Sequence, residues 1–158
     1  MSAVKQYSEP ATELQQVVSL LGGGRVLRPV PASTIDAHQL LLNGLPETAL
    51  RHLLDKLVVL AKTESLEKAV GMSLRTFQRL KDTPAKPLSI EQSGRTWKFA
   101  EILAKATAVF GSQHEAELWL ERPAVGLNQE RPIDLLQTPA GVELVETFLR
   151  RLEYGVYA

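Results

Sequence analysis

Between residues 73 and 86 stand the side chains of this chain best suited to touch a nucleic acid: Ser73, Arg75, Thr76, Gln78, Arg79, Lys81 and Lys86. Arginine carries a planar fork of donors that matches the two acceptors on guanine, and glutamine matches the donor–acceptor pair on adenine. Hydroxyls, ammonium groups and the amides at a helix N-terminus hold phosphate oxygens without reading sequence. Arg75, Gln78 and Arg79 are therefore the candidate base readers. Ser73, Thr76 and Lys86 are the candidate phosphate contacts.

Covalent and metal chemistry find no comparable footing. There is no cysteine, so neither a disulfide framework nor a thiolate site can form. His38, His52 and His114 stand far apart, without the spacing of paired metal ligands. No Gly-x-Ser-x-Gly elbow occurs. Gly22, Gly23 and Gly24 resemble the start of a phosphate loop, but Arg25-Val26-Leu27-Arg28-Pro29 follows where Gly-Lys-Ser/Thr would be needed. The glycines are instead expected to end a helix and form a flexible joint. The expectation is a binding protein without catalytic residues, metal or cofactor.

The DNA-facing residues need a scaffold, and residues 63–82 supply it. Thr63 caps a short helix, Gly71 makes a tight turn, and Ser73 caps a second helix. Leu66, Val70, Met72, Phe77 and Leu80 fall where two crossed helices share a small core. Glu67 stands where a small residue is the common choice, which asks for a wider crossing or an outward carboxylate. A helical hairpin whose polar face is merely solvated remains the alternative.

The surrounding pattern is helical almost throughout, so the expected fold is all-α: a helix-turn-helix bundle followed by a small helical domain. A first helix is expected over Leu14 to Leu21, with extended chain from Val26 to Pro31. Ser33 with Asp36, Ser89 with Gln92 and Ser112 with Glu115 mark three helix starts. Pro46 is placed at the first position of a helix with Leu50, Leu53, Leu54, Leu57, Val58 and Ala61 on its apolar face. Trp97, Phe110 and Trp119 read as core, with Trp119 beneath an elbow at Pro123. Thr138 and Pro139 open the last helix, which has Val142, Val145, Leu149 and Leu152 on one stripe. Three segments follow: an extension at 1–33, a DNA-binding domain at 34–100 and a second domain at 101–158.

At 158 residues, 44% hydrophobic and 23% charged, the chain can bury a globular core. Its zero net charge conceals a division. Residues 62–105 hold nine basic against five acidic side chains, whereas residues 106–158 hold four against eight. A basic middle beside an acidic end suits two partners of different electrostatics. No apolar run reaches the ~20 residues of a membrane span, and no basic-then-apolar leader opens the chain, so a cytoplasmic location is expected.

From Trp119 onward the chain reads W-L-E-R-P, then G-L-N-Q-E-R-P-I-D-L-L-Q-T-P-A-G-V-E-L-V-E-T-F-L-R-R-L-E-Y-G-V-Y-A. Two proline elbows flank a Leu-Leu segment, and an amphipathic run ends on Tyr154, Gly155, Val156, Tyr157 and Ala158. This resembles the toxin-binding domain of the Xre/MbcA/ParS antitoxins, small bacterial proteins that neutralise a RES-type toxin encoded beside them. The resemblance covers roughly residues 34–158, since the preceding elements are ordered like the Xre-like helix-turn-helix of that family. RES-type toxins resemble ADP-ribosyltransferases and degrade NAD, and such antitoxins obstruct the cofactor pocket. The resemblance thus implies a RES-type toxin and operator DNA as partners. It also implies a homodimer joined through the C-terminal module, and toxin contact by Arg150, Arg151, Tyr154, Tyr157 and Ala158. From the residues alone, Tyr154, Val156 and Tyr157 could equally clasp the core. A dimeric transcriptional regulator whose C-terminal domain only dimerises or senses a ligand is the alternative function.

Overall fold

The computed structural model describes residues 12–60, 64–81 and 86–155, with the side chains of Leu80 and Lys81 left aside. The expectations for Ala61, Thr63, Leu80, Lys81, Val156, Tyr157 and Ala158 lie outside that description. The described residues form α-helices joined by turns, with one isolated antiparallel bridge between Pro46 and Pro87 and no strands.

Capping residues set the helix starts. Thr12 opens α1 (Glu13–Leu20) with a reciprocal box to Gln15, and Ser33 opens α2 (Thr34–Asn43) by accepting from the Asp36 N–H. Between them the three glycines turn tightly through Gly23–Arg25 rather than forming a loose joint. Leu21 and Leu27, on either side, are both fully buried. Gly22 has φ +106°, and a Cβ there would lie 2.3 Å from Val26 Cγ2, so the turn admits only glycine.

The helix α3 (Glu47–Lys56) is shorter than its apolar pattern suggests. Pro46 is its N-cap rather than its first residue, and the helix stops before Val58, which is 61% exposed. The cause comes from far along the chain. Glu117 accepts the backbone N–H groups of Val58, Val59 and Leu60 at 2.9, 2.9 and 2.8 Å. Those amides would otherwise have continued the helical ladder. Glu117 is itself 0% exposed, so its carboxylate and the three amides satisfy each other in the interior.

Next come α4 (Glu64–Val70) and α5 (Leu74–Lys81), joined at Gly71. The central helix α6 (Ile90–Phe110) starts at the Ser89–Gln92 box and ends at Gly111. It runs unbroken through residues 100 and 101, where a division into domains was expected. Phe99, Ala100, Ile102, Leu103 and Ala106 bury on it against the helices before and after. Buried residues from all three expected segments join one core. After α7 (Gln113–Glu121), a turn at Val125–Leu127 and the short α8 (Pro132–Leu135) lead to α9 (Pro139–Glu153). Among the described residues no helix is long and apolar enough to cross a membrane.

Trp97 is buried as expected, but Phe110 and Trp119 are only half-buried. They form a stack with Phe148 at the edge of the molecule. The Trp119 ring centroid lies 5.2 Å from that of Phe110 and 5.8 Å from that of Phe148, the latter pair nearly parallel at 8°.

Candidate functional site

The apolar positions expected to lie between α4 and α5 are buried, but in the common core, with α4 packed on α6 and α8 and α5 on α3. Leu66, Ala69, Val70, Met72 and Phe77 are buried, and the turn glycine has φ +74°. The Glu67 carboxylate does not simply point outward. It crosses the turn and accepts the Leu74 N–H at 3.2 Å, capping α5. Ser73 Oγ accepts the Thr76 N–H at 3.0 Å and donates to Thr76 Oγ1 at 2.8 Å. A phosphate contact by Ser73 would have to exchange that second bond.

Burial of Phe77 against the core turns the opposite side of α5 outward. Arg75, Thr76, Gln78 and Arg79 are all exposed there, as is Lys86 beyond the helix, and Ser73 is half-buried at its start. Thus Arg75, Gln78 and Arg79 share one solvent-facing helix surface of the kind a major groove admits.

The last turn of α9 carries the second set. Val145 and Leu149 bury one side of α9, which leaves Arg150, Arg151 and Tyr154 exposed in its last turn. Tyr154 is 73% exposed, so it does not clasp the core. Two arginines beside the last carbonyls also complement the helix dipole, a structural role that binding need not displace. Around the nearby turn, Val125 and Leu144 are exposed apolar residues, and Leu144 lines a shallow groove with Gly126 and the half-buried Phe148. An acidic helix next to an apolar edge is a surface suited to a protein rather than to a nucleic acid.

Residues 36–101 match the antitoxin Xre-like helix-turn-helix domain, and residues 105–155 match the antitoxin Xre/MbcA/ParS C-terminal toxin-binding domain. A relative named Antitoxin Xre, from Pseudomonas putida, is 29% identical over 149 residues, spanning 94% of this chain and 86% of its own. The chain belongs to the Xre/MbcA/ParS antitoxin family. Its family therefore assigns it an antitoxin role in a toxin–antitoxin system, with a helix-turn-helix and a toxin-binding domain. In this antitoxin the two matched segments meet inside α6, so both domains share that helix.

Several residues that shape the antitoxin's surfaces carried no sequence signal. Arg95 donates to Lys68 O at 3.1 Å and to Gln137 O at 3.2 Å. Arg131 donates to Ser65 Oγ at 2.5 Å and holds both carboxylate oxygens of Asp134, at 2.8 and 3.0 Å. Partial burial raises the Asp134 carboxyl's pKa, but hydrogen bonds from Arg131 and Ser65 and the charges of Arg131 and Lys68 outweigh it and hold it below the usual range. A second cluster joins α1, α6 and α9. Lys105 pairs with Glu146 at 2.8 Å and Glu13 at 3.6 Å, while Lys98 pairs with Glu146 at 3.5 Å. Burial lowers the Lys105 pKa, yet the bond to Glu146 and the charges of Glu13, Glu146 and Glu101 leave it raised. Glu146 is the converse: burial raises it, and Lys105 and Lys98 bring it down further than that.

Proposed function

We propose that this antitoxin binds and neutralises a RES-type, NAD-degrading toxin by obstructing its active site, and binds its own promoter through α4 and α5 as a homodimer. The observation that carries this reading is the pairing of two exposed sets in one chain. One is Arg75, Gln78 and Arg79 on a capped recognition helix; the other is Arg150, Arg151 and Tyr154 at the end of the helix matched to a toxin-binding domain. Tyrosine and arginine dominate the energetics of many protein interfaces. Tyr157 and Ala158 extend the proposed toxin contact.

Ser73, Thr76 and Lys86 are the proposed phosphate contacts. Two-fold pairing supports the dimer on general grounds, since it lets two recognition helices meet half-sites about 34–36 Å apart. The apolar edge around Val125 and Leu144 is the candidate joining surface. The protein acts by binding and supplies no chemistry of its own.

Co-expression with the protein of the neighbouring reading frame tests the reading. A RES-type neighbour should co-purify with the antitoxin, growth and NAD levels should recover, and light scattering should give an even number of antitoxin chains. Promoter binding without any co-purifying toxin would favour the stand-alone regulator.

A further inference from the structure

The helix α4 has only seven residues, too few to hold a helix in isolation. Its apolar side, Leu66, Ala69 and Val70, packs toward α6 and α8. Apolar packing is non-directional, so it fixes how deep α4 sits better than how it is rotated. Directional bonds fix rotation, and those bonds come from outside the α4–α5 pair. At its first turn Ser65 Oγ accepts from Arg131, whose guanidinium is aimed by its two-point hold on Asp134. At its last turn the Lys68 carbonyl, one of the four that a helix end leaves free, accepts from Arg95. The same guanidinium donates to Gln137 O, just before α9. Its Cδ also occupies the space beside the turn: a Cβ on Gly71 would lie 2.5 Å away.

The turn at Gly71 is tight, and Glu67 bonds directly to the start of α5. A rotation of α4 therefore carries α5 with it. We propose that Arg131 and Arg95 are positioning residues for DNA reading. Through Arg131, and through the bond that ties Arg95 to Gln137 O, the toxin-binding domain sets the angle at which α5 presents Arg75, Gln78 and Arg79. This inference rests on the proposed promoter binding.

The test uses the full chain with Ser65→Ala, Arg131→Met, Arg131→Lys and Arg95→Met, and the double variant Ser65→Ala/Arg131→Met. Three quantities are measured for each: affinity for a duplex of the chain's own promoter, affinity for the protein of the neighbouring reading frame, and melting temperature. Arg131→Met and Arg95→Met should weaken promoter binding by about 3- to 30-fold, the range for residues that act through a network. Toxin affinity and melting temperature should stay close to those of the unaltered chain. Ser65→Ala should give a smaller loss, Arg131→Lys should recover part of it, and the double variant should be less than additive. Ser65→Ala removes one hydroxyl and leaves the Arg131–Asp134 pair intact, so it decides the matter even if an arginine variant misfolds. Unchanged promoter affinity overturns the proposal, and so does a parallel loss of all three quantities. If the unaltered chain fails to bind the duplex, DNA reading itself falls and the positioning role with it. If it binds and every variant binds alike, the positioning role alone is wrong.

Discussion

Glu67 Oε1 accepts the backbone N–H of Leu74 at 3.2 Å, so a side chain of α4 caps α5 across the turn between them. The Glu67 carbonyl meanwhile accepts the N–H groups of both Gly71 and Met72, at 2.9 and 3.1 Å. One residue thus closes the end of one helix and the beginning of the next. Replacing it with the small residue usual at such a position should harm this protein. Glu67→Ala is expected to cost about 1 kcal/mol, the typical worth of a cap, and Glu67→Gln, which keeps an acceptor, clearly less. Urea unfolding of both variants checks this; equal losses would count against the cap.

Two glycines should respond in opposite directions to alanine. A Cβ on Gly141 would lie 1.9 Å from Leu135 O and 2.8 Å from Leu135 C, where backbone cannot move aside cheaply. Gly141→Ala should therefore push α9 from α8, cost on the order of 1–3 kcal/mol and weaken toxin neutralisation. At Gly94, inside α6, a Cβ would meet nothing within 4 Å. Gly94→Ala should stabilise by about 0.4–1 kcal/mol through the unfolded chain. Thermal unfolding of the pair decides; destabilisation by Gly94→Ala would refute the second half.

The helical layout was legible because caps and periodicity are local. Ser89 with Gln92 and Thr138 with Pro139 announce helices from neighbouring residues alone. The end of α3 was not legible, because Glu117 terminates it from 57 or more residues away. Arg95 and Arg131 escaped for the same reason: each looks like an ordinary surface arginine until the fold brings Lys68, Gln137 and Ser65 to it. The exposed side of α5 could be foreseen, since Phe77 and Met72 dictate which side faces inward. Trp119 was harder, because apolar spacing does not tell a core ring from one stacked at an edge.

Stability should be flat across neutral pH and fall on both sides. Asp134 and Glu146 titrate below their ordinary range when folded, so their contribution is present above about pH 4–5 and is lost as pH drops through the lowered values. Lys105 titrates above its ordinary range, so its contribution is complete below about pH 10 and is lost as pH rises through the raised value. Glu146 faces Lys98 and Lys105, and Lys105 also faces Glu13, so this cluster ties α1, α6 and α9. Urea midpoints measured against pH should show Glu146→Gln shrinking the acid limb. An identical acid limb in that variant would mean the cluster contributes nothing.

Promoter binding should divide by residue type. Arg79→Ala is expected to cost about 1–3 kcal/mol and to relax preference at one base position, whereas Lys86→Ala should weaken all sequences alike and reduce the salt slope by about one. Gel shifts on the upstream promoter that are unchanged by Arg75→Ala and Arg79→Ala together would remove α5 from the interface.

Deleting residues 154–158 should damage toxin neutralisation far more than promoter binding. Tyr154 is 73% exposed, and it follows the last buried residue of α9, Leu149, so its loss takes little from the core. Its backbone N–H closes on Arg150 O and that of Gly155 on Leu152 O, bonds that finish a helix already held by Val145 and Leu149. The melting temperature should consequently move little, and α5 packs on α3 rather than on α9. Arg150 and Arg151 remain in the truncated chain, so some toxin affinity should survive, and Arg150→Ala with Arg151→Ala on top of the deletion should remove more of it. Growth rescue, promoter affinity and thermal stability are measured on the same truncation. Equal loss of all three would make the tail structural and withdraw Tyr154, Tyr157 and Ala158 from the toxin contact.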